Sequence, residues 1–415
     1  MDGSLDKPAE NYDFIIVGAG ILGLTTAHEL KKRYPEARVA LLEKEPHVGM
    51  HASGRNSGVL HSGIYYGSET LKAKVCSIGA ARMCRFAEEY GISYHCSGKV
   101  IIATGELDLP VVDRLLKNAR ENKIRAELLG EEEIKKIEPH AGPYKVGIYS
   151  PDTAVIDSLA VVRKLASLLS DRGSQILFNE EVHRIQSKER IVHTNRRRYG
   201  YGHLFNCAGA NADLIAKKMG LGSGYALLPF KGLYYKLRPE RNGLVKGSIY
   251  PVPDIRLPFL GVHLTRVVSG DVYVGPTAIP ALGRENYGIF GGIKMAEGLR
   301  IGRHVAGMYL RNHQNFRLLV HTEMRKYRKR SFLEAARKLV PELTSEDLVP
   351  SNKVGIRPQL VNIEMKKLEM DYIIEETPTS THVLNAISPA FTSSFAFAEL
   401  LVDRYEKSFK QTVSQ

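Results

Sequence analysis

Apolar residues along the chain fall into three kinds of pattern. From Tyr12 to Val17 they form a short unbroken run, the mark of a strand buried on both faces. A Gly-rich turn follows. Ile21, Leu22, Leu24, Ala27 and Leu30 then recur at helical spacing, and Val39 to Leu42 form a second buried run. Strand, turn, helix and strand make a βαβ unit of about thirty residues. Further along, periodicity predicts helices over 108–122, 132–138 and 157–172 and a strand from Val100 to Ala103. Strand-like pieces are expected at 175–178, 182–186, 190–194 and 203–207. At 230–237 and 271–274, alternation bounded by turn residues predicts strands of an antiparallel sheet. Helical spacing returns over 294–320 and 331–339.

These elements sort into two units. Segments 11–80, 150–220 and 350–405 have nucleotide-fold character, whereas 81–149 and 221–349 read as a second domain threaded through the first. The expected class is α/β: a Rossmann-like domain interleaved with a smaller α+β domain built on an antiparallel sheet. A chain of 415 residues is long enough for two such cores.

Composition narrows the class little. Hydrophobic residues make up 43% and charged residues 25%, ordinary values for a soluble globular chain. No run approaches the roughly 18 apolar residues of a membrane-spanning helix. The first dozen residues hold several acids and no apolar stretch, which argues against a secretory signal or an Arg-rich transit peptide. Cys76, Cys84, Cys96 and Cys207 form no CxxC pair, so neither a metal site nor a redox dithiol is indicated, and buried thiols in a reducing, cytoplasmic setting are expected. The net charge of +13 fits a solvated basic surface, steering of an anionic substrate, or peripheral contact with the inner face of an anionic membrane. The densest basic run, Arg325 to Arg330, and the triplet Arg196 to Arg198 lack the interleaved aromatics of a base-stacking platform, so nucleic acid is not an expected partner.

The chemistry begins at Gly18-Ala19-Gly20-Ile21-Leu22-Gly23. Gly18 permits a tight strand-to-helix turn, Gly20 lets the backbone approach a pyrophosphate, and Gly23 lets helix and strand pack closely. Glu43, with Lys44 beside it, follows the second strand about 20 residues beyond Gly23, where an acid accepts from a ribose hydroxyl. That acid disfavours a 2′-phosphate but does not separate NAD from FAD. A second Gly- and Ser-rich segment comes directly after, Ser53-Gly54-Arg55-Asn56-Ser57-Gly58-Val59-Leu60-His61-Ser62-Gly63-Ile64-Tyr65-Tyr66, and has the composition of a chain lying against a ligand.

These two segments resemble the FAD-dependent D-amino-acid-oxidase-like superfamily, and within it the L-2-hydroxyglutarate dehydrogenase/oxidase family. The resemblance continues through Pro229-Phe230-Lys231-Gly232, Tyr234-Tyr235, Tyr250-Pro251-Val252-Pro253-Asp254, the run Leu257 to Arg266, Gly275-Pro276, Gly355-Ile356-Arg357 and Asn385-Ala386-Ile387-Ser388-Pro389. Departures are Arg55, Pro358, Ile387 and Thr277, where that family has histidine, alanine, proline and asparagine. Arg55 and Pro358 resemble the wider superfamily instead. The resemblance implies an FAD domain with a long, buried FAD and an antiparallel sheet over the flavin face. It implies FAD contacts from Val182, from Ala208 and Gly209, from Gly355, and from Asn385 and Ser388.

The implied reaction is oxidation of L-2-hydroxyglutarate to 2-oxoglutarate by hydride transfer from the substrate Cα to flavin N5, with oxygen or a membrane quinone as electron acceptor. Other hydroxy-acid or amino-acid oxidases are the alternative, and a flavoprotein that binds nucleic acid is a remote one. A small anionic 2-hydroxy acid needs a carboxylate anchor, a base and exclusion of water. Arg357 is the expected anchor, because a guanidinium matches a carboxylate bidentately. Arg55, Arg266, Tyr235 and Tyr66 are candidates for the second carboxylate. His61 and His263 are the candidate bases, since an imidazole accepts a proton at neutral pH.

Overall fold

The computed structural model describes residues 10–413; the stretch 1–9, which bears on the argument against a leader, lies outside them. The first buried run is strand β1 (Glu10–Val17), followed by helix α1 (Ile21–Arg33) and strand β2 (Val39–Glu43). β1 pairs in parallel with β2 on one side and with strand Arg198–Asn206 on the other. Gln175–Phe178 extends the sheet beside β2, and Ser380–Val383 extends it beside Arg198–Asn206, both in parallel. Phe14 and Ile16 enter a core shared with α1 and with helices Ser158–Asp171 and Ala390–Val413, whereas Ile15 and Val17 enter the core on the opposite face. Burial on both faces is why this segment is apolar throughout instead of alternating. α1 thus starts where β1 is flanked by neighbours on both sides, the crevice in which open α/β sheets bind ligands.

The second sheet has ten strands. Its spine is a long antiparallel pair, Tyr225–Leu237 against Leu348–Asn362, in register from Tyr225 opposite Asn362 to Leu237 opposite Leu348. Outward from that pair lie Val272–Gly275, His263–Arg266, Ser248–Pro251, Lys99–Ile102, Val146–Ser150 and Glu127–Gly130. One face packs on helix Lys329–Arg337 through Phe332 and Ala336. The two domains are tied by Arg284, whose guanidinium meets the Asp213 carboxylate at 2.5 and 3.0 Å.

Three expectations need correction. The boundary placed at 80 cuts helix α2 (Leu71–Glu89), whose Val75, Met83, Phe86 and Ala87 all pack in the first domain's core, so the helix belongs to that domain. Segment 350–405 is not all nucleotide domain, because strand Leu348–Asn362 sits in the second sheet. Its partner lies far away in sequence, and no local pattern reveals that. Helix 294–320 is two helices, Met295–Arg311 and Phe316–Arg325. Between them Asn312, Gln314 and Asn315 take φ of 52–53°, a left-handed conformation that Asn tolerates better than most residues.

Candidate active site

A cavity of about 1010 Å³ runs from the start of α1 to the underside of the second sheet. That is at the top of the roughly 300–1,000 Å³ range of ligand pockets and suits a long dinucleotide with a small substrate. At the α1 end, Gly18 has φ of +99°, and a Cβ there would stand 2.7 Å from the Cys207 carbonyl oxygen. A Cβ on Gly23 would stand 2.0 Å from the Gly18 oxygen, so only glycine lets the helix sit on its strand. Gly20 offers no side-chain cap, and the Ile21 N–H donates to Ser53 Oγ at 2.9 Å, which leaves the following first-turn N–H groups for a ligand phosphate.

Glu43 lines the cavity and its carboxylate accepts from the Ala19 N–H at 2.9 Å and the Glu45 N–H at 3.0 Å. Lys44 bonds to Glu45 and lies 2.7 Å from Glu285, a residue of the second domain. The Arg55 guanidinium lies over the Tyr287 ring at 4.2 Å, and Asn56 holds its own loop by bonding Ser53 O and the Gly58 N–H, each at 2.8 Å. Ser57, Val182, Ala208, Gly209, Gly355 and Ser388 line the same cavity.

At the other end, period-two alternation brings Gly232 and Tyr234 of strand Tyr225–Leu237 to the space. The partner strand lines it with every residue from Gly355 to Gln359, Arg357 among them, while Tyr250 and His263 complete the wall. The Arg357 Nη1 donates to Thr277 O at 3.0 Å. The guanidinium is partly open to the cavity yet lies deep in protein. Among the described residues it has no ion-pair partner: Glu323, the nearest acid to act on it, is bonded to Lys326. A buried, forked cation of this kind has the geometry to pair with a carboxylate.

The two histidines are held neutral. His263 Nδ1 lies 2.9 Å from Gly261 O. A carbonyl only accepts, so Nδ1 carries the proton and Nε2 keeps its lone pair. Burial first, then the charges of Arg357, Lys99 and Lys326, push His263 down to about 3, against the Gly261 bond. Burial, then Lys99 and His263, do the same to His61, whose Nδ1 has no partner among the described residues.

Some expected residues are placed elsewhere. Asn385 is fully buried and does not line the cavity. Its amide donates to Glu369 O at 3.0 Å and Asp371 O at 2.6 Å and accepts from the Leu360 N–H at 3.0 Å, which fastens backbone segments together. Tyr235 points to the sheet's other face, its ring 4.9 Å from that of Phe332. Arg266 follows the same rule: three positions along from His263, it faces away and lies beside the turn at Gly270. Gly58 does not line the cavity either; with φ of +75° it lies where a Cβ would meet Ile156 O at 2.5 Å. Tyr66 does line it. The thiols are all free, but Cys84 is half-buried and Cys96 exposed instead of buried. Sequence reading missed Tyr287 and Lys72, which line the cavity, and Lys99, which is buried behind its wall. Lys99 left a readable trace, a lone cation heading the apolar run Val100 to Ala103.

Residues 13–404 match the FAD dependent oxidoreductase family, the class that the glycine cradle and overlying sheet define. The L-2-hydroxyglutarate dehydrogenase of Escherichia coli (strain K12) is 36% identical over 400 residues, covering 95% of this chain and 93% of that protein. The mitochondrial L-2-hydroxyglutarate dehydrogenase of Homo sapiens is 34% identical over 432 residues, covering 98% and 91%. Among solved structures, the L-alpha-glycerophosphate oxidase of Mycoplasma pneumoniae with FAD bound shares the fold at a TM-score of 0.76 and 22% identity, over 96% of this chain and 95% of that one. Glycine oxidase from Geobacillus kaustophilus does so at 0.72 and 19%, over 96% and 95%. The chain belongs to the L-2-hydroxyglutarate dehydrogenase family of FAD-dependent oxidoreductases, and FAD is its cofactor.

Proposed function

We propose that this enzyme oxidises L-2-hydroxyglutarate to 2-oxoglutarate. The observation that carries the reading is Arg357, an enclosed guanidinium without an anion, facing the same cavity as two neutral histidines. The names of the relatives supply the substrate. Arg357 takes the carboxylate next to the reacting carbon in a two-pronged grip, which fixes the hydroxyl and the Cα–H in one orientation. The hydroxyl proton passes to the pair His61 and His263, of which His263 has the tautomer fixed by the fold. An imidazole near 3 is by itself a weak base. The arriving carboxylates bring negative charge close to it and make the imidazolium more favourable. FAD, when bound, supplies the hydride acceptor. The sheet above the cavity excludes water from the reacting groups. Tyr66, at the cavity wall, is a donor for the distal carboxylate. A panel of L- and D-2-hydroxyglutarate, lactate, glycine, D-alanine and glycerol 3-phosphate tests the reading. L-2-hydroxyglutarate is expected to give the largest kcat/KM; a larger value with an amino acid would reassign the enzyme to the amino-acid oxidases.

The electron acceptor is oxygen or a membrane quinone, and one surface favours the second. Ile289, Phe290, Met295, Leu299 and Leu310 are 71–84% exposed. They stand among the exposed cations Lys294, Arg300, Arg303 and Arg311, while Ile301 and Met308 anchor the helix inward. Such an apolar and basic face suits an anionic bilayer surface. Among the described residues no helix is long and apolar enough to cross a membrane. In sedimentation with anionic vesicles the protein is expected to pellet at low salt, and Phe290→Ser with Leu299→Ser to stay in solution. No difference between the two proteins would remove the membrane reading.

A further inference from the structure

Lys99 opens the strand Lys99–Ile102 and is 1% exposed. Its Nζ has no hydrogen-bond partner among the described residues. It stands 4.7 Å from the centre of the Tyr65 ring and 5.1 Å from that of Tyr250. Tyr250 in turn stacks on His263, with ring centres 3.9 Å apart and planes 19° from parallel. The lysine is therefore behind the wall that meets the substrate and does not line the cavity itself. Taking an ammonium out of water without an anion is costly. Two aromatic faces recover part of that cost, and a methionine in the same place would avoid it altogether.

We propose that Lys99 is a positioning residue for the proton acceptor: held between Tyr65 and Tyr250, its ammonium raises the potential at His61 and His263 and adds to burial in keeping both unprotonated until an anionic substrate arrives. The proposal rests on the reading that this histidine pair takes the hydroxyl proton.

The surroundings of the three groups leave that role to cations. His61 faces Lys99, His263 and, from α2, Cys76, whose thiol donates to the His61 carbonyl at 3.2 Å. His263 faces Arg357 from the long strand, Lys326 from the end of helix Phe316–Arg325, and Lys99. Opposite Lys99 in register is Ser150, bonded at 3.0 Å to Ser62. Glu323 is occupied by Lys326 and by the Ala278 N–H at 2.6 Å. With Arg357, Lys326 and Lys99 acting on His263, and Lys99 on His61, an added proton on either ring is repelled. Burial brings Lys99 down to about 7, against a smaller opposing effect of Cys76. About three quarters of its charge is thus present at pH 6.5, where an ordinary imidazole is half protonated, and nearly all of it a unit lower.

The test is the pH profile of kcat/KM for FAD-loaded wild type, Lys99→Met, Lys99→Gln and Lys99→Arg, with melting temperature measured alongside. In the wild type the acidic limb should lie below pH 6.5. Loss of the cation in Lys99→Met and Lys99→Gln should move the limb upward by about one pH unit, with melting temperature no lower than wild type, and Lys99→Arg should hold it in place. Unshifted limbs in both neutral variants, or a loss equal at every pH, would overturn the proposal. So would failure of both neutral variants to fold with FAD, because a role through charge alone leaves the fold intact. A wild-type profile without an acidic limb would instead overturn the base assignment, and this proposal with it.

Discussion

Arg357→Ala is expected to lower kcat/KM for L-2-hydroxyglutarate by about a thousand-fold while the purified protein stays yellow. The size follows from the arrangement around the guanidinium. It sits deep in protein and, among the described residues, is bonded to the Thr277 carbonyl alone, with no acid of its own to release. A carboxylate bound there makes two charge-assisted bonds shielded from water, and truncating one partner of such a pair costs about 4 kcal/mol, which is about a thousand-fold in rate. Arg357→Lys should recover little, since an ammonium offers a point charge where the site presents a fork. FAD retention is expected because the phosphate cradle lies at the opposite end of the cavity, on α1. Steady-state kinetics with a 450 nm flavin measurement on the same sample checks both halves. A loss under ten-fold would mean that the substrate carboxylate is held elsewhere.

Gly23→Ala should act at the other end and more completely, giving protein with under a tenth of the wild-type FAD. The added methyl group would stand 2.0 Å from the Gly18 carbonyl oxygen and 3.3 Å from the Ile16 side chain. Neither can move away cheaply: Gly18 is in the tight turn, and Ile16 is at the centre of the sheet. Helix α1 must therefore lift from its strand, which carries the first-turn N–H groups away from the phosphates. Gly302→Ala, on the exposed side of helix Met295–Arg311 with nothing within 4 Å of its would-be Cβ, is the matched control and should load FAD normally. An equal ratio of flavin to protein absorbance in the two variants would contradict the close-packing argument.

The nucleotide half of the molecule was legible in sequence because its signals are local. The glycine spacing, the acid that ends β2 and the apolar period of α1 each concern residues within one βαβ unit. The second domain was legible only in pieces. Its long strand pair joins residues over a hundred positions apart, so Leu348–Asn362 carried no sign of which sheet it would enter. The same limit explains the mistaken substrate candidates. Tyr234 and Tyr235 are adjacent in sequence but face opposite sides of one strand, and only the sheet's placement over the cavity says which side matters. Arg266 and His263 divide in the same way. Asn385 was placed in the lining because one motif holds both residues that face the cavity and residues that brace them. Lys99 was overlooked because a lysine in a strand ordinarily points to water.

Anaerobic titration of the yellow protein with L- and D-2-hydroxyglutarate tests the central claim most directly. The L enantiomer should bleach the 450 nm band with the yield of one 2-oxoglutarate per flavin, and the D enantiomer should leave the band in place. A flavin that remains oxidised under both acids would contradict the account, as would equal bleaching by the two.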